Sequence, residues 1–163
     1  LWAQATIAWN EATRGVAVAV DGQRSVFTVD YDYNPAGDIT LTKRDAAGAL
    51  QWTASYDQTD NTKWEKATWV ATDSQGRVAV CGTLMSGYSN PVNAASLLMQ
   101  FDGAGNLLWR HVYDSAFDGS STRKCLVDAQ DNIYVLGLGM GAAGLTTRVR
   151  KFASDGSIVW TWQ

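Results

Sequence analysis

Trp2, Trp52, Trp109 and Trp160 recur at intervals of 50, 57 and 51 residues, and the text around them recurs with them. Asp45-Ala-Ala-Gly48-Ala-Leu-Gln-Trp52 matches Asp102-Gly-Ala-Gly105-Asn-Leu-Leu-Trp109, and Ser154-Asp155-Gly156-Ser-Ile-Val-Trp160 is a third copy. A second block repeats in the same order. Asp73-Ser-Gln-Gly-Arg-Val78-Ala-Val-Cys-Gly82 matches Asp128-Ala-Gln-Asp-Asn-Ile133-Tyr-Val-Leu-Gly137, and Asp21-Gly-Gln-Arg-Ser-Val26-Phe-Thr-Val-Asp30 is a divergent first copy. A repeat of this length is one supersecondary unit, which stays dry only when a neighbour stacks against it.

Each block reads as a hairpin. Gly, Asn and Asp supply the positive φ of a tight turn, and β-branched or aromatic runs flank it. One unit therefore holds four strands. The first ends at Val20, Thr72 and Val127; the second covers Val26–Val29, Val78–Cys81 and Ile133–Leu136. The third covers Ile39–Lys43, Leu97–Phe101 and Arg148–Phe152, and the fourth is centred on the repeated tryptophan. No long stretch shows apolar residues at helical spacing between caps. The second strand is apolar on both faces and should be covered on both. The third is mixed, with Lys43, Gln100 and Lys151 at one polar position. Buried inner strands grading to wetter outer ones are what a propeller blade needs. The expected fold is all-β: three consecutive four-stranded antiparallel blades of a β-propeller, with units near 1–50, 51–107 and 108–163. The repeated tryptophan, burying roughly 150–250 Å², would cement one blade to the next.

At these residues the chain resembles the bacterial β-propeller repeat families, the SBBP type above all. Residues 128–137 fit its Asp-x-x-Gly-Asn-(Ile/Val)-Tyr-Val-x-Gly string best, and residues 102–109 fit its Asp-x-x-Gly-Asn-Leu-Leu-Trp string. The resemblance implies an architecture used as a scaffold in secreted and surface proteins. PQQ-dependent quinoproteins carry similar Leu-Leu-Trp strings, more distantly. The adjacent cysteine pair of many such enzymes is absent, because Cys81 and Cys125 are far apart. These two read as buried stand-ins for aliphatic residues, with a disulfide between neighbouring blades as the alternative.

Three blades do not close a ring, since propellers have about 4–8. The chain begins Leu1-Trp2 without an initiator Met or a signal peptide, as a processed or partial chain would. It opens in one fourth-type strand, Leu1–Thr6, and ends in another, Ile158–Trp162. These features predict a segment of a larger propeller, or a ring completed by other copies. A net charge of −3 without a basic stripe argues against nucleic acid as a partner. No apolar run approaches the roughly 20 residues of a membrane-spanning helix.

Candidate sites are few. Asp30, Asp32, Asn34 and Asp38 match the start of a calcium loop in alternating oxygen ligands, but Pro35 interrupts and Leu41 stands where a glutamate belongs. A solvated hairpin is the plainer reading. Trp9, Trp64 and Trp69 lie between a fourth strand and the next first strand. With Tyr56 they would form a platform for sugar rings or peptide, or pack under the loops as satellite core. His111, the only histidine, follows a repeated tryptophan and reads as structural. Asp21, Asp73 and Asp128 repeat at one position, as turn-capping carboxylates do. Gly137–Gly144 reads as a flexible hairpin, with no helix behind it to hold a phosphate. The expected function is a non-enzymatic binding or scaffold module of a secreted or surface-exposed bacterial protein. The alternatives are a fragment of a quinoprotein-like or hydrolase propeller, and a structural subunit of an extracellular assembly. No cofactor is expected beyond a possible Ca²⁺, and the expected partners are a protein or glycan, or further blades.

Overall fold

A computed structural model of the chain describes residues 13–32, 38–57, 64–85, 94–113, 121–141 and 144–163. They form twelve strands and no helix. The first sheet holds β1 (Thr13–Val20), β2 (Val26–Asp32), β3 (Ile39–Arg44) and β4 (Leu50–Tyr56). The middle sheet holds β5 (Trp64–Thr72), β6 (Val78–Met85), β7 (Ala94–Phe101) and β8 (Leu107–Tyr113). The third holds β9 (Ser121–Val127), β10 (Ile133–Gly141), β11 (Gly144–Phe152) and β12 (Ile158–Trp162). Each is antiparallel with its strands in chain order. The repeated tryptophan therefore closes each sheet as its last strand, and hydrogen bonding phases the units as 13–56, 64–113 and 121–162. Leu1–Thr6 lies outside the described residues.

One loop builds six hairpins. Asp21–Ser25, Asp45–Ala49, Asp73–Arg77, Asp102–Asn106, Asp128–Asn132 and Ala153–Ser157 each close with the first N–H donating to the fifth carbonyl. In each the fourth N–H donates back to the first carbonyl. The fourth residue takes a positive φ every time: Arg24, Gly48, Gly76, Gly105, Asp131 and Gly156, between 62° and 90°. This is the three-residue hairpin whose left-handed position favours glycine. Arg24 holds it without glycine, at a backbone cost of roughly 1–2 kcal/mol.

The sheets stack in chain order. Phe27, Val29, Ile39 and Leu41 of the first sheet pack on Val70, Val80, Leu97 and Met99 of the middle one. The other side of the middle sheet, with Cys81 and Leu98, packs on Cys125, Ile133, Val135 and Phe152. Every residue of β7 is buried, and all of β6 except Met85. The expectation that second strands are covered on both faces therefore holds for the middle sheet alone. In β2 and β10 burial alternates, because among the described residues no sheet packs on one face of each outer sheet.

The tryptophans fasten one sheet to the next turn. Trp52 lies on the β7–β8 turn: its Nε1 donates to the Gly103 carbonyl at 3.0 Å, and a Cβ on Gly105 would stand 3.0 Å from its ring. The Trp109 ring covers Gly156 likewise, 2.9 Å from a notional Cβ, but its buried Nε1 meets no hydrogen-bond acceptor among the described residues. Trp160 is the third equivalent, and it stands exposed on the outer face of the third sheet.

Candidate functional site

The aromatic residues expected to form one platform are divided by the middle sheet. Trp9 lies outside the described residues. Trp64 and Trp69, expected in a connection, are the first and sixth residues of β5, paired with Met85 and Cys81. The strand starts that early because alternate residues, Glu65 and Ala67, already point into the first junction. A bulge between Ala67 and Trp69 then turns Trp69 to the other side. There its ring packs on the second core and carries the Lys124 ammonium at 4.3 Å from its centroid. Tyr56 is buried in the first junction, where its hydroxyl accepts a hydrogen bond from Arg110. Trp64 is half-buried at the end of the blade where β4 finishes and Tyr56 sits.

The acidic residues regroup across the sheet. Asp30 and Asp32 belong to β2, and Asn34 lies outside the described residues. Asp30 sits on the bare face of the first sheet, its carboxylate 3.2 Å from where Gly15 would carry a Cβ. Burial pushes its carboxyl above the ordinary range. Asp38 just precedes β3, and because Ile39 pairs with Tyr56 it meets Asp57 across the last rung. Glu65 comes in from β5, and one oxygen of each of these three carboxylates lies within 4.8 Å of the others. Asp30 is not among them. An all-oxygen set is the donor chemistry of a hard cation. Sequence reasoning missed Asp57 and Glu65 because it counted ligands along the chain, and the grouping is made by strand pairing.

Other polar residues hold turns and junctions. Asp21 accepts the Gln23 and Ser25 N–H groups at 2.9 and 2.8 Å, and Asp73 accepts Gln75 and Arg77 at the same two distances. Asp128 accepts Gln130 and Asn132, both at 2.9 Å. Asp45 and Asp102 cap the later hairpins alike, through Ala47 and Ala49 and through Ala104 and Asn106. Bonds from Asn132 above all hold the Asp128 carboxyl down at about 2. Asp131 reaches across the second junction to the Ser74 N–H at 2.9 Å and the Ser74 hydroxyl at 3.0 Å. His111 is part of the same junction, its ring 6.1 Å from Phe152 and beside Gly156. Cys81 and Cys125 are free, buried thiols from neighbouring sheets, as the aliphatic stand-in reading expects. A hydrogen bond with Cys81, together with burial, pushes the Cys125 thiol well up. The glycine-rich segment runs as strand as far as Gly141 and resumes at Gly144, whose φ is 110°.

The same architecture recurs in solved proteins. The chain superposes on a Hadza microbial sialidase with a TM-score of 0.69 at 10% identity, over 93% of this chain and 38% of the sialidase. A protein of unknown function from Bacteroides caccae gives 0.53 at 12%, covering 93% and 46%. The Synechocystis apocarotenoid oxygenase gives 0.58 at 9%, covering 92% and 39%. This chain thus spans less than half the length of each of these three proteins. No protein-family model and no curated protein matches the sequence. Three stacked four-stranded antiparallel sheets and a propeller neighbour define the class of protein: consecutive blades of a β-propeller.

Proposed function

We propose that this chain is a non-enzymatic binding or scaffold module of a secreted or surface-exposed bacterial protein, built of SBBP-type blades. One observation carries the reading. The five repeated aspartates Asp21, Asp45, Asp73, Asp102 and Asp128 each accept two backbone N–H groups of their own turn. Carboxylates so bound position a backbone, and a general acid or base needs its oxygens turned toward a substrate. The only histidine packs between rings in the same manner. Ligand contact then falls to the blade end that carries Trp64, where the carboxyl groups of Asp38, Asp57 and Glu65 gather. A neutral or cationic ligand with a flat apolar face, such as a glycan or a basic peptide, fits that end.

Binding to glycan and peptide arrays tests it, together with turnover assays on a sialoside and a carotenoid. The expected result is binding that Trp64→Ala weakens about tenfold, with no turnover. Turnover of either compound, or binding indifferent to Trp64→Ala, overturns the reading.

A further inference from the structure

The same positions line both internal junctions, with Phe27, Lys43 and Trp52 in the first and Ala79, Gln100 and Trp109 in the second, and they recur on the two outer faces. In the first junction Phe27, Lys43 and Trp52 stand abreast on β2, β3 and β4. Lys43 Nζ lies 5.2 Å from the Phe27 ring centroid, and the Phe27 and Trp52 rings are 6.0 Å apart. Lys43 Nζ and Trp52 Nε1 both donate to the Gly103 carbonyl, at 3.3 and 3.0 Å. On the outer face of the third sheet Tyr134, Lys151 and Trp160 hold the same three registered positions. The distances repeat as well: 5.2 Å from Lys151 Nζ to the Tyr134 centroid and 6.0 Å between the rings. This plate is already arranged, yet Trp160 is 42% exposed.

The opposite outer face carries the matching half. The Asp45–Ala49 turn has the hydrogen bonds of Asp102–Asn106, and φ is 87° at Gly48 against 90° at Gly105. By this equivalence the Ala46 carbonyl stands where Gly103 offers its own. Deeper in the stack the correspondence continues. Strand register makes Val70, Cys125 and Val18 equivalent, and likewise Val29, Cys81 and Leu136. Val29 and Val70 lie in the first core, and Cys81 and Cys125 in the second. Their counterparts Leu136 and Val18 are 40% and 60% exposed on the two outer faces. A shallow groove of about 460 Å³ runs over Val18, Thr28 and Thr42, where a side chain such as Leu136 would seat.

We infer that the outer face of the third sheet docks on the outer face of the first sheet of a second copy of this chain. Trp160 covers Gly48 of that copy, and Lys151 Nζ and Trp160 Nε1 donate to its Ala46 carbonyl. Two copies joined at both ends make six blades, within the roughly 4–8 that close a propeller. Three blades are too few, and three copies overshoot the range. Coverage of 46% and 38% of the propeller-like neighbours fits half a ring. Closure by a two-fold axis leaves no bare sheet face to recruit further copies. The inference rests on the scaffold reading and names its partner.

Sedimentation equilibrium of the native protein tests it. The expected species has twice the 17.7 kDa mass of one chain. W160E on one face and V18E on the other each yield a monomer with unchanged far-ultraviolet dichroism, since both side chains are exposed. W160F, which keeps the ring and loses only the N–H, loosens the dimer about fivefold and stands in should a charged variant fail to fold. A monomeric native protein, its face open or covered by other residues of its own chain, overturns the inference. So does a dimer indifferent to W160E and V18E, or a mass that climbs past two copies with concentration. The two proposals fail separately: a dimer that turns over a sialoside sinks only the scaffold reading, and a monomer that binds a glycan sinks only the docking.

Discussion

Gly105 illustrates how much a single residue carries here. Its φ of 90° lies where side chains are rarely found, and the Trp52 ring occupies the space a Cβ would take. Gly76 shares the first constraint, with a φ of 74°, and lacks the second, since a Cβ there meets nothing within 4 Å. The pair separates backbone strain from packing. Gly76→Ala should cost about 1–2 kcal/mol. Gly105→Ala adds the displacement of Trp52 and should cost about 2–4 kcal/mol. Thermal unfolding of both variants checks this, at roughly 2–4 °C per kcal/mol for a chain of this size. Equal losses would mean that the ring over Gly105 contributes nothing. The need for glycine at Gly48, Gly105 and Gly156 was legible in the repeated turn text. Arg24 at the same position was not, because its block departs from the repeat and the loop geometry is enforced by the strands it joins.

Strands and turns show the same division. The β1–β2, β5–β6 and β9–β10 turns are each capped by an aspartate that accepts backbone N–H groups of its own turn. Asp128 falls from its ordinary 3.8 to about 2 in the folded chain. Asp131 and Asp102 are lowered too, the first by bonds to Ser74 and the second by bonds to Asn106. A carboxyl whose folded value is depressed stabilises fully above its unfolded value and loses that contribution as pH falls through the folded value. These three carboxyls should therefore lower the melting temperature as pH falls between about 4 and 2, while the raised Asp30 carboxyl acts in the opposite sense and costs stability as it ionises. Asp128→Asn should flatten part of that slope. An acid transition unchanged in Asp128→Asn would remove the turn cap as its cause. Close approach is the other element-scale device. A Cβ on Gly82 would lie 2.6 Å from the Lys66 carbonyl oxygen, and one on Gly137 2.9 Å from that of Ser121. The first sheet places Asp30 at the equivalent position and moves the glycine to its partner, Gly15. The sequence shows Asp30 as a departure from the repeat and as a candidate calcium ligand. The pairing with Gly15 explains how it is accommodated, and burial there accounts for its raised carboxyl pKa.

Across the whole molecule, protection should follow coverage. β6 and β7 are buried along their length, whereas the outer sheets bury one face each. In the W160E chain, where both outer faces are open, amide exchange should be slowest in β6 and β7 and faster in β1–β4 and β9–β12. Uniform protection across the three sheets would mean that the stack opens as one unit. The sequence by itself determined the strand order, the turns and the equivalence of the three units, because turn chemistry and a two-residue side-chain period are local properties written into each hairpin. It did not determine which equivalent residue is covered. Trp52, Trp109 and Trp160 stand in the same text, and only stacking distinguishes two that lie beneath a neighbour's turn from one that faces outward. The same holds for Asp38, which sequence placed with Asp30 and strand pairing placed with Asp57 and Glu65. Contacts between sheets depend on which face meets which neighbour, and a repeat that writes each face alike holds no record of where the stack ends.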